Sequence, residues 1–399
     1  MNADSGSLPP RIPDHCLRDS LWGGSMQAYV MYGPGVLDST EQSEPHYGED
    51  EILLRTEAVS ICSTDVSYFR GHLFPETWPI VPGHEYVGEV SGIGARLKGA
   101  VELGQRVCYW GQTDFGGMAE YRVIRPIFGH QVAAETAWYT ERNFYDADQA
   151  AAVIVPDSLS WDAATIIEPL TSVLRSILVN PPRPGDVCVV LGCGPSAVLA
   201  TQVLTRYVGA RSVTVVDRNE YRLKIALSHG ASLGFNTSTD AESLEGFVRD
   251  NHDQYADYVF DALPHVAVDG HGKDVRELAM GLLRPGGTYV VYGATGVRQQ
   301  INTWLILAKG LNVRATPFDV RLFPMARSAH VANIAVRLLE SGLVDAGPVV
   351  SHRISFYDPK AVVGAFESYG QGDSMKTSLR LSPVAHATAG AEVLLGERR

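Results

Sequence analysis

The stretch VCVVLGCGPSAVLA, residues 187–200, places Gly192, Gly194 and Ala197 in a G-x-G-x-x-A pattern directly after an apolar run. Glycine at the first position permits a tight turn, and glycine at the second lets the backbone approach a pyrophosphate. The small third residue lets a helix that starts at Pro195 pack closely on the strand. Since free N–H groups at a helix start bind phosphate well, these four residues predict a dinucleotide-binding turn.

An acidic residue completes this pattern one strand later. The run SVTVVD ends at Asp217, 20 residues after Ala197. A carboxylate there accepts hydrogen bonds from both adenosine ribose hydroxyls and repels a 2′-phosphate, which favours NAD over NADP. Arg218 either stacks on adenine or partly offsets that repulsion. The glycine pattern alone also occurs where a turn serves packing only, so the prediction of NAD rests on both features.

Strand-like and helix-like segments alternate after about residue 185. VCVVL, SVTVVD, YADYVFDA and TYVVYGA have the apolar character of buried strands, whereas PSAVLATQVLTRYVGA, EYRLKIALSHGA and VRELAMGLLRPGG are helical, the last with a glycine stop. Strands that alternate with helices predict a doubly wound parallel sheet in an α/β protein. We assign residues 177–318 to this cofactor domain.

The preceding part of the chain has a different pattern of apolar residues. Short alternating or β-branched runs between Gly and Pro, from MQAYVMYGPG at residue 26 to MAEYRVI at residue 118, predict a mostly antiparallel, barrel-like unit. Later helical and extended segments are expected to rejoin it, so the catalytic domain comprises residues 26–176 and 319–399. Residues 1–25, rich in Pro, Gly, Ser and Asp without periodicity, are expected to form a flexible extension.

Composition excludes several classes of protein. The 399 residues carry a formal charge of -12 with a pI near 5.5, which argues against a nucleic-acid surface and favours small-molecule partners. No apolar run approaches the roughly 18 to 20 residues of a membrane helix, and the N-terminal residues lack the apolar core of a signal peptide. We expect a cytoplasmic protein that contacts no membrane. Its five cysteines are irregularly spaced and are interpreted as reduced thiols.

Three segments carry residues that bind metals. ICSTD contains Cys62, PGHEYVGEV contains His84 and Glu85, and IIEPL contains Glu168. Thiolate, imidazole and carboxylate form a tetrahedral catalytic zinc site that keeps one position open. Each residue alone could have a purely structural role. A lone cysteine is usually a structural side chain, and the negative charge of Glu168 could simply stabilise a helix N-terminus. Their order upstream of a dinucleotide domain favours the metal.

The ordered set of ICSTD, PGHEYVGEV, GQRV, GGMAEY, IIEPL, LGCGPSA and VVDRNEYRLKIALSHGA resembles the zinc-dependent medium-chain dehydrogenases/reductases, which include alcohol, sorbitol, threonine and glucose dehydrogenases. The resemblance covers residues 26–382. It implies a GroES-like β-barrel catalytic domain around a Rossmann domain. The EPL form of the Glu168 motif is closer to the polyol, sugar and amino-alcohol branches than to simple alcohol dehydrogenases.

The resemblance also implies a role for each site residue. Cys62 and His84 become zinc ligands, and Glu85 and Glu168 supply carboxylate, directly or through a zinc-bound water, and exchange as substrate enters. Asp65 is implied to orient the zinc-bound imidazole. Thr64 is implied to pass the substrate proton outward.

The sequence departs from the family pattern in three places. Cys108 stands alone where members carry four closely spaced cysteines, so we predict no structural zinc. Ser67 replaces the histidine that many members have at the outer end of the proton relay, so a hydroxyl or water must finish the transfer. Residues 125–150 form an insertion with five aromatic residues: Phe128, Trp138, Tyr139, Phe144 and Tyr145. The insertion forms a lid or a subunit contact, or it is an ordinary surface loop that buries these rings against the barrel.

These features predict reversible oxidation of a secondary alcohol of a polyol, cyclitol, sugar or amino-alcohol by NAD. Four residues are placed near the expected mouth of the substrate pocket by their nearness to the ligand segments, although packing is the more common role of such side chains than substrate contact: Tyr68, His72, Trp110 and Phe115. The alternatives are a catalytically silent NAD(H)-binding sensor or scaffold and a zinc-free NADPH enone reductase. The family implies a homodimer or homotetramer, joined through the edge strand near LNVRAT at residues 311–316.

Overall fold

The structure, a computed structural model, describes residues 24–111, 115–128, 149–264, 274–296, 298–317 and 323–382. Most of the predicted extension at residues 1–25 lies outside this part of the chain, and so do four aromatic residues of the insertion: Trp138, Tyr139, Phe144 and Tyr145. Among the described residues, no helix combines the length and the apolar character needed to cross a bilayer.

The elements up to residue 179 are β1 (Ser25–Gly33), β2 (Val36–Ser43), β3 (Ile52–Ser60), α1 (Ser63–Phe69), β4 (Glu85–Ile93), β5 (Arg106–Trp110), β6 (Tyr121–Phe128), β7 (Gln149–Ile154), α2 (Trp161–Ala164) and α3 (Ile167–Val179). Those that follow are β8 (Val187–Leu191), α4 (Pro195–Gln202), β9 (Ser212–Asp217), α5 (Glu220–Ser228), β10 (Leu233–Asn236), α6 (Ala241–Asp250), β11 (Ala256–Asp261), α7 (Val275–Leu282), β12 (Leu283–Val291), α8 (Thr303–Lys309) and β13 (Asn312–Ala315). The last are α9 (Met325–Glu340), β14 (Val350–Ser355), α10 (Pro359–Glu367) and β15 (Lys376–Arg380).

Five strands close into a barrel. β3 pairs with β4, β4 with β5, β5 with β7, β7 with β6, and β6 again with β3. Side chains alternate between the two faces of a strand, and apolar ones such as Leu54, Tyr86 and Val107 join one buried cluster with Phe128 of the insertion. β1 and β2 form a separate antiparallel hairpin. The predicted barrel-like unit is confirmed.

Six parallel strands form the second large sheet, in the order β10-β9-β8-β11-β12-β13. Every residue of β8 is buried, as expected for a strand covered on both faces. The chain leaves β8 towards β9 on one side and later returns to β11 on the other, so a crevice opens at the carboxyl ends of these strands. The predicted doubly wound Rossmann sheet is confirmed.

One element boundary differs from the prediction. The sequence predicts that the helix in VRELAMGLLRPGG continues to its glycines, but α7 ends at Leu282 and the next residues belong to β12. Leu283 already has extended angles, φ -64° and ψ 133°. Pro285 explains the early end, because proline lacks an N–H and disfavours helical geometry at the residue before it.

The end of the described chain returns to the barrel. β15 pairs with β3, with Ser378 opposite Ser60. The hydroxyl oxygens of Ser60 and Thr165 are 2.6 Å apart, so the turn before α3 is also held at this end of β3. The segments around Cys62 and Glu168 and the start of β15 consequently lie together.

Candidate metal centre and cofactor crevice

The antiparallel pairing of β3 and β4 brings the first candidate ligands together. Glu85, the first residue of β4, lies opposite Ser60, the last residue of β3. His84 precedes that pair, and Cys62 follows it as the residue before α1. A ligand atom of Cys62, one of His84 and one of Glu85 all lie within 4.8 Å of one another. No second group of this kind occurs within the described ranges.

Asp65 fastens the two ligand segments to each other. Its fully buried carboxylate accepts hydrogen bonds from the Cys62 N–H at 2.9 Å and from the Gly83 N–H at 3.0 Å. Burial alone would raise the pKa of Asp65, but the neighbouring His84 and the two N–H groups outweigh it, and the pKa is lowered. The carboxylate therefore remains an anion that orients both segments.

His84 provides a direct test of whether a metal fits. Its buried Nδ1 has no hydrogen-bond partner among the described residues and lies 3.7 Å from Asp65 Oδ1, too far for a hydrogen bond. Burial lowers the pKa of His84, but the charges of Cys62 and Asp65 raise it well above its usual value. The Cys62 sulfur and the Asp65 carboxylate thus favour positive charge at the imidazole. The donor set of thiolate, imidazole and carboxylate fits zinc.

The carboxylate of Glu85 has a buried partner that the sequence analysis did not identify. Lys376 Nζ lies 2.6 Å from Glu85 Oε1, contacts Oε2 as well, and donates to the Ile61 carbonyl at 3.4 Å. Burial lowers the pKa of Lys376, but Glu85 and Cys62 outweigh it and raise the pKa. Lys376 therefore holds Glu85 as a fixed anion beside Cys62 and His84.

Glu168 lies near this group without belonging to it. The residue is buried in the first turn of α3, and its Oε1 accepts a hydrogen bond from Ser172 Oγ at 3.4 Å. Burial raises the pKa of Glu168 to about 7, and Glu85 adds to the rise while His84 and Lys376 oppose it. Glu168 is therefore a second carboxylate within electrostatic reach of the three candidate ligands.

The proposed proton relay is only partly assembled. Thr64 is half-buried, with Oγ1 3.7 Å from Cys62 Sγ. Ser67 donates its hydroxyl proton to the Ser63 carbonyl at 2.8 Å, so its hydrogen atom is engaged within α1. The Ser67 oxygen still has lone pairs for accepting a proton or a water.

The four residues predicted at the pocket mouth occupy different places. Phe115 packs edge-on against His84 and Tyr68, with ring centroids 5.3 and 5.4 Å apart. His72 is exposed. Trp110 is only 1% exposed, and its indole N–H donates to Ser172 Oγ at 2.7 Å. Trp110 therefore lies behind Glu168 rather than at the mouth.

The glycine-rich turn adopts the conformation that the sequence predicts. Gly192 has φ +88°, which favours glycine, and Gly194 precedes α4, whose first residue is Pro195. Ala197 is buried against the strand, as its small size allows. A side chain at position 192 would approach Leu263 Cδ2 within 3.3 Å, so the segment after β11 closes one side of the crevice.

Asp217 fixes the other side of this turn. Its Oδ2 accepts the Cys193 N–H at 2.5 Å and its Oδ1 accepts the Asn219 N–H at 2.8 Å. Arg218 is exposed. The carboxylate is therefore held rigidly at the carboxyl end of β9, and each of its oxygens retains a lone pair for a ribose hydroxyl.

Tyr292 lies at the glycine-rich turn, within electrostatic reach of the metal centre. Its hydroxyl donates to Ser196 Oγ, in the glycine-rich turn, at 3.3 Å. Burial raises the pKa of Tyr292, and the charges of Glu168 and Cys62 add to the rise.

Comparison with known proteins identifies two domain families in the chain. Residues 48–135 match the alcohol dehydrogenase GroES-like domain family, and residues 197–321 match the zinc-binding dehydrogenase family. The chain is 27% identical over 348 residues to L-threonine 3-dehydrogenase of Escherichia fergusonii, which covers 85% of this chain and 95% of that relative.

Two solved structures show the same fold. A protein described as a short-chain alcohol dehydrogenase of E. coli CFT073, in complex with NADH, has a TM-score of 0.71 at 21% identity and covers 90% of this chain and 100% of its own. Galactitol-1-phosphate dehydrogenase of Escherichia coli has a TM-score of 0.69 at 20% identity, covering 89% and 100%.

The closed barrel, the Rossmann sheet and the two matched families define a zinc-binding dehydrogenase. The chain belongs to the zinc-dependent medium-chain dehydrogenase superfamily, as its motifs predicted, and is an oxidoreductase of the alcohol dehydrogenase type.

Proposed function

We propose that the protein reversibly oxidises a secondary alcohol of a polyol, cyclitol, sugar or amino-alcohol to a ketone, with one catalytic zinc and NAD. The observation that carries this proposal is the Cys62, His84 and Glu85 group, whose ligand atoms lie within 4.8 Å of one another. The names of the threonine and galactitol-1-phosphate dehydrogenases support a polar alcohol as substrate. A zinc-free enone reductase or a silent NAD(H) sensor would not require this group.

The chain's own residues supply positioning and proton transfer. When bound, zinc provides a Lewis acid that lowers the pKa of a substrate hydroxyl, and NAD provides the hydride acceptor. Asp65 and Lys376 hold the ligand segments and Glu85 in place. Thr64 accepts the substrate proton, and Ser67 or a water passes it outward. With substrate and NAD bound, the crevice would hold the reacting carbons in near-attack geometry, an effect worth up to about 7–11 kcal/mol of barrier.

The preference for NAD follows from Asp217. Two backbone N–H groups hold its carboxylate, so the anion cannot turn away from a 2′-phosphate. Exposed Arg218 only partly offsets this charge. We therefore propose NAD as the preferred cofactor and NADP as the less favoured one.

A single zinc is part of the proposal. Among the described cysteines, Cys62 alone belongs to a potential ligand group, whereas Cys108, Cys188 and Cys193 are buried free thiols. Burial raises the pKa of Cys108, which keeps that thiol protonated and a poor ligand. We also propose a cytoplasmic location, since a domain of this size needs no disulfides and its cysteines are expected to be reduced.

The division into domains is likewise proposed. The Rossmann strands span residues 187–315, inside the cofactor domain assigned to residues 177–318. The barrel strands, β14 and β15 lie in the catalytic domain assigned to residues 26–176 and 319–399.

Assays of the zinc-loaded protein on polyols, cyclitols, sugars and amino-alcohols test the proposed reaction. We expect turnover on at least one of these classes, with kcat/KM at least about tenfold higher with NAD than with NADP, a difference of about 1.4 kcal/mol. Activity confined to simple aliphatic alcohols, or to enones with NADPH, would contradict the substrate class. NADH binding without any turnover would favour the sensor.

We also propose a homodimer, alone or paired into a tetramer. Trp304 and Leu307 of α8 are 68% and 75% exposed. β13 is the edge strand of the parallel sheet, and within the described residues only its side facing β12 is paired. An unpaired edge beside exposed apolar side chains is suited to pairing with a second copy across a two-fold axis.

Sedimentation velocity tests this assembly. The wild-type chain is expected to sediment as a dimer or tetramer, and Leu307→Glu to shift it towards monomer by burying a charge in the interface. Leu103→Glu is the matched control, since Leu103 is 68% exposed on the barrel side of the molecule. A monomeric wild type, or equal effects of the two substitutions, would refute the proposed interface.

A further inference from the structure

Beside Glu168 lies a polar group, with Trp110 and Arg175 buried and Ser172 half-buried, that the reaction scheme above does not use. Trp110 Nε1 donates to Ser172 Oγ at 2.7 Å, and Ser172 Oγ lies 3.4 Å from Glu168 Oε1. The guanidinium carbon of Arg175 lies 3.9 Å from the centre of the Trp110 ring and 4.3 Å from that of Phe323. The described chain provides Glu168 with no other side-chain hydrogen bond.

The arrangement follows from the spacing of residues on α3. Residues 168, 172 and 175 are four and three positions apart, so they share one face of the helix. That face meets the indole of Trp110, the last residue of β5.

The direction of the hydrogen bonds is fixed by chemistry. An indole N–H only donates, so the Ser172 oxygen accepts from Trp110 and its own proton is available to the carboxylate. The stacked Arg175 limits rotation of the indole, because a cation over the ring face is attracted to it. A carboxylate that ligates a metal is ionised, and with Glu168 in that form Trp110, Ser172 and Glu168 form a hydrogen-bond chain with one possible polarity.

We propose that Ser172 and Trp110 are positioning residues that orient the Glu168 carboxylate at the zinc centre. This inference rests on the proposed function and on the role that the family resemblance implies for Glu168, which supplies carboxylate to the zinc directly or through a zinc-bound water. Carboxylates that ligate metals are themselves held by hydrogen bonds, and loss of such a partner typically costs about 10–100-fold in metal affinity or activity. At 3.4 Å the Ser172 bond is long, so we expect the lower end of that range.

The test measures zinc release from the zinc-loaded full chain to a chromogenic chelator. Ser172→Ala and Trp110→Phe are each expected to release zinc about tenfold faster than wild type. The double variant should be no faster than Ser172→Ala, because either change breaks the same chain. Ser172→Thr keeps the hydroxyl and should restore slow release. The absorption spectrum of the cobalt-substituted protein should change in Ser172→Ala.

Ser176→Ala is the matched control, since Ser176 is a buried serine on the same helix whose hydroxyl has no partner among the described residues. The inference is overturned if Ser172→Ala releases zinc at the rate of Ser176→Ala, or if the double variant shows the product of two independent effects. A wild-type chain that binds no zinc would overturn the proposed function and this inference together. A wild-type chain that binds zinc, with Ser172→Ala behaving like Ser176→Ala, would overturn this inference alone.

Discussion

Replacing Cys62 by serine is expected to abolish tight zinc binding and to lower turnover by at least about 10³-fold, while NADH still binds. A serine hydroxyl stays protonated near neutral pH, so it supplies no anionic ligand in place of the thiolate. Zinc stabilises developing charge by several kcal/mol, and about 4 kcal/mol corresponds to this factor at about 1.36 kcal/mol per tenfold. Metal analysis, initial rates and NADH titration measure the three quantities.

Cys188→Ala provides the control for this substitution. Cys188 is a buried free thiol of β8, in the Rossmann sheet and outside the candidate ligand group. The control is expected to retain zinc and most turnover. A zinc-free Cys62→Ser protein with full activity would show that Cys62 is not a ligand of a catalytic metal.

Replacing Lys376 by methionine is expected to lower the free energy of unfolding of the metal-free protein by about 3–5 kcal/mol at neutral pH. The side chains of Lys376 and Glu85 are only 2% and 1% exposed. Removing one partner leaves a buried charge without compensation, which costs that amount in known cases. Urea denaturation followed by circular dichroism measures the change.

Two further variants separate the ion pair from a general effect of the substitution. Glu85→Gln combined with Lys376→Met removes both charges and should recover most of the lost stability. Lys224→Met removes an exposed ion pair in which Lys224 Nζ lies 3.8 Å from Glu220 Oε1. It should change the free energy of unfolding by no more than about 0.5 kcal/mol. A loss below about 1 kcal/mol for Lys376→Met would contradict the account of a fixed Glu85 anion.

The Rossmann sheet could be predicted from the sequence because its signals are local. An apolar strand, a glycine-rich turn and a helix follow one another within residues 187–202, and the φ of +88° at Gly192 is the reason that glycine is needed there. The grouping of Cys62 with His84 was predicted from their residue types, their order along the chain and the family resemblance, and β3–β4 pairing now gives its physical cause.

Other parts of the site depend on contacts between distant residues, which local patterns do not reveal. Lys376 is 291 residues from Glu85, and nothing around it marks a buried lysine. Trp110 was predicted at the pocket mouth from its nearness to the ligand segments, but sequence proximity does not determine which face of β5 its side chain occupies. Its contact with Ser172 requires the packing of α3 on the barrel.

The central claim is that one zinc ion binds to Cys62, His84 and a carboxylate. X-ray absorption spectroscopy at the zinc edge of the purified wild-type chain, with metal content measured on the same sample, tests it most directly. The account predicts one zinc per chain with a single sulfur ligand at about 2.3 Å and nitrogen or oxygen ligands at about 2.0–2.2 Å. A chain without zinc, or zinc bound by several sulfurs or by none, would contradict it.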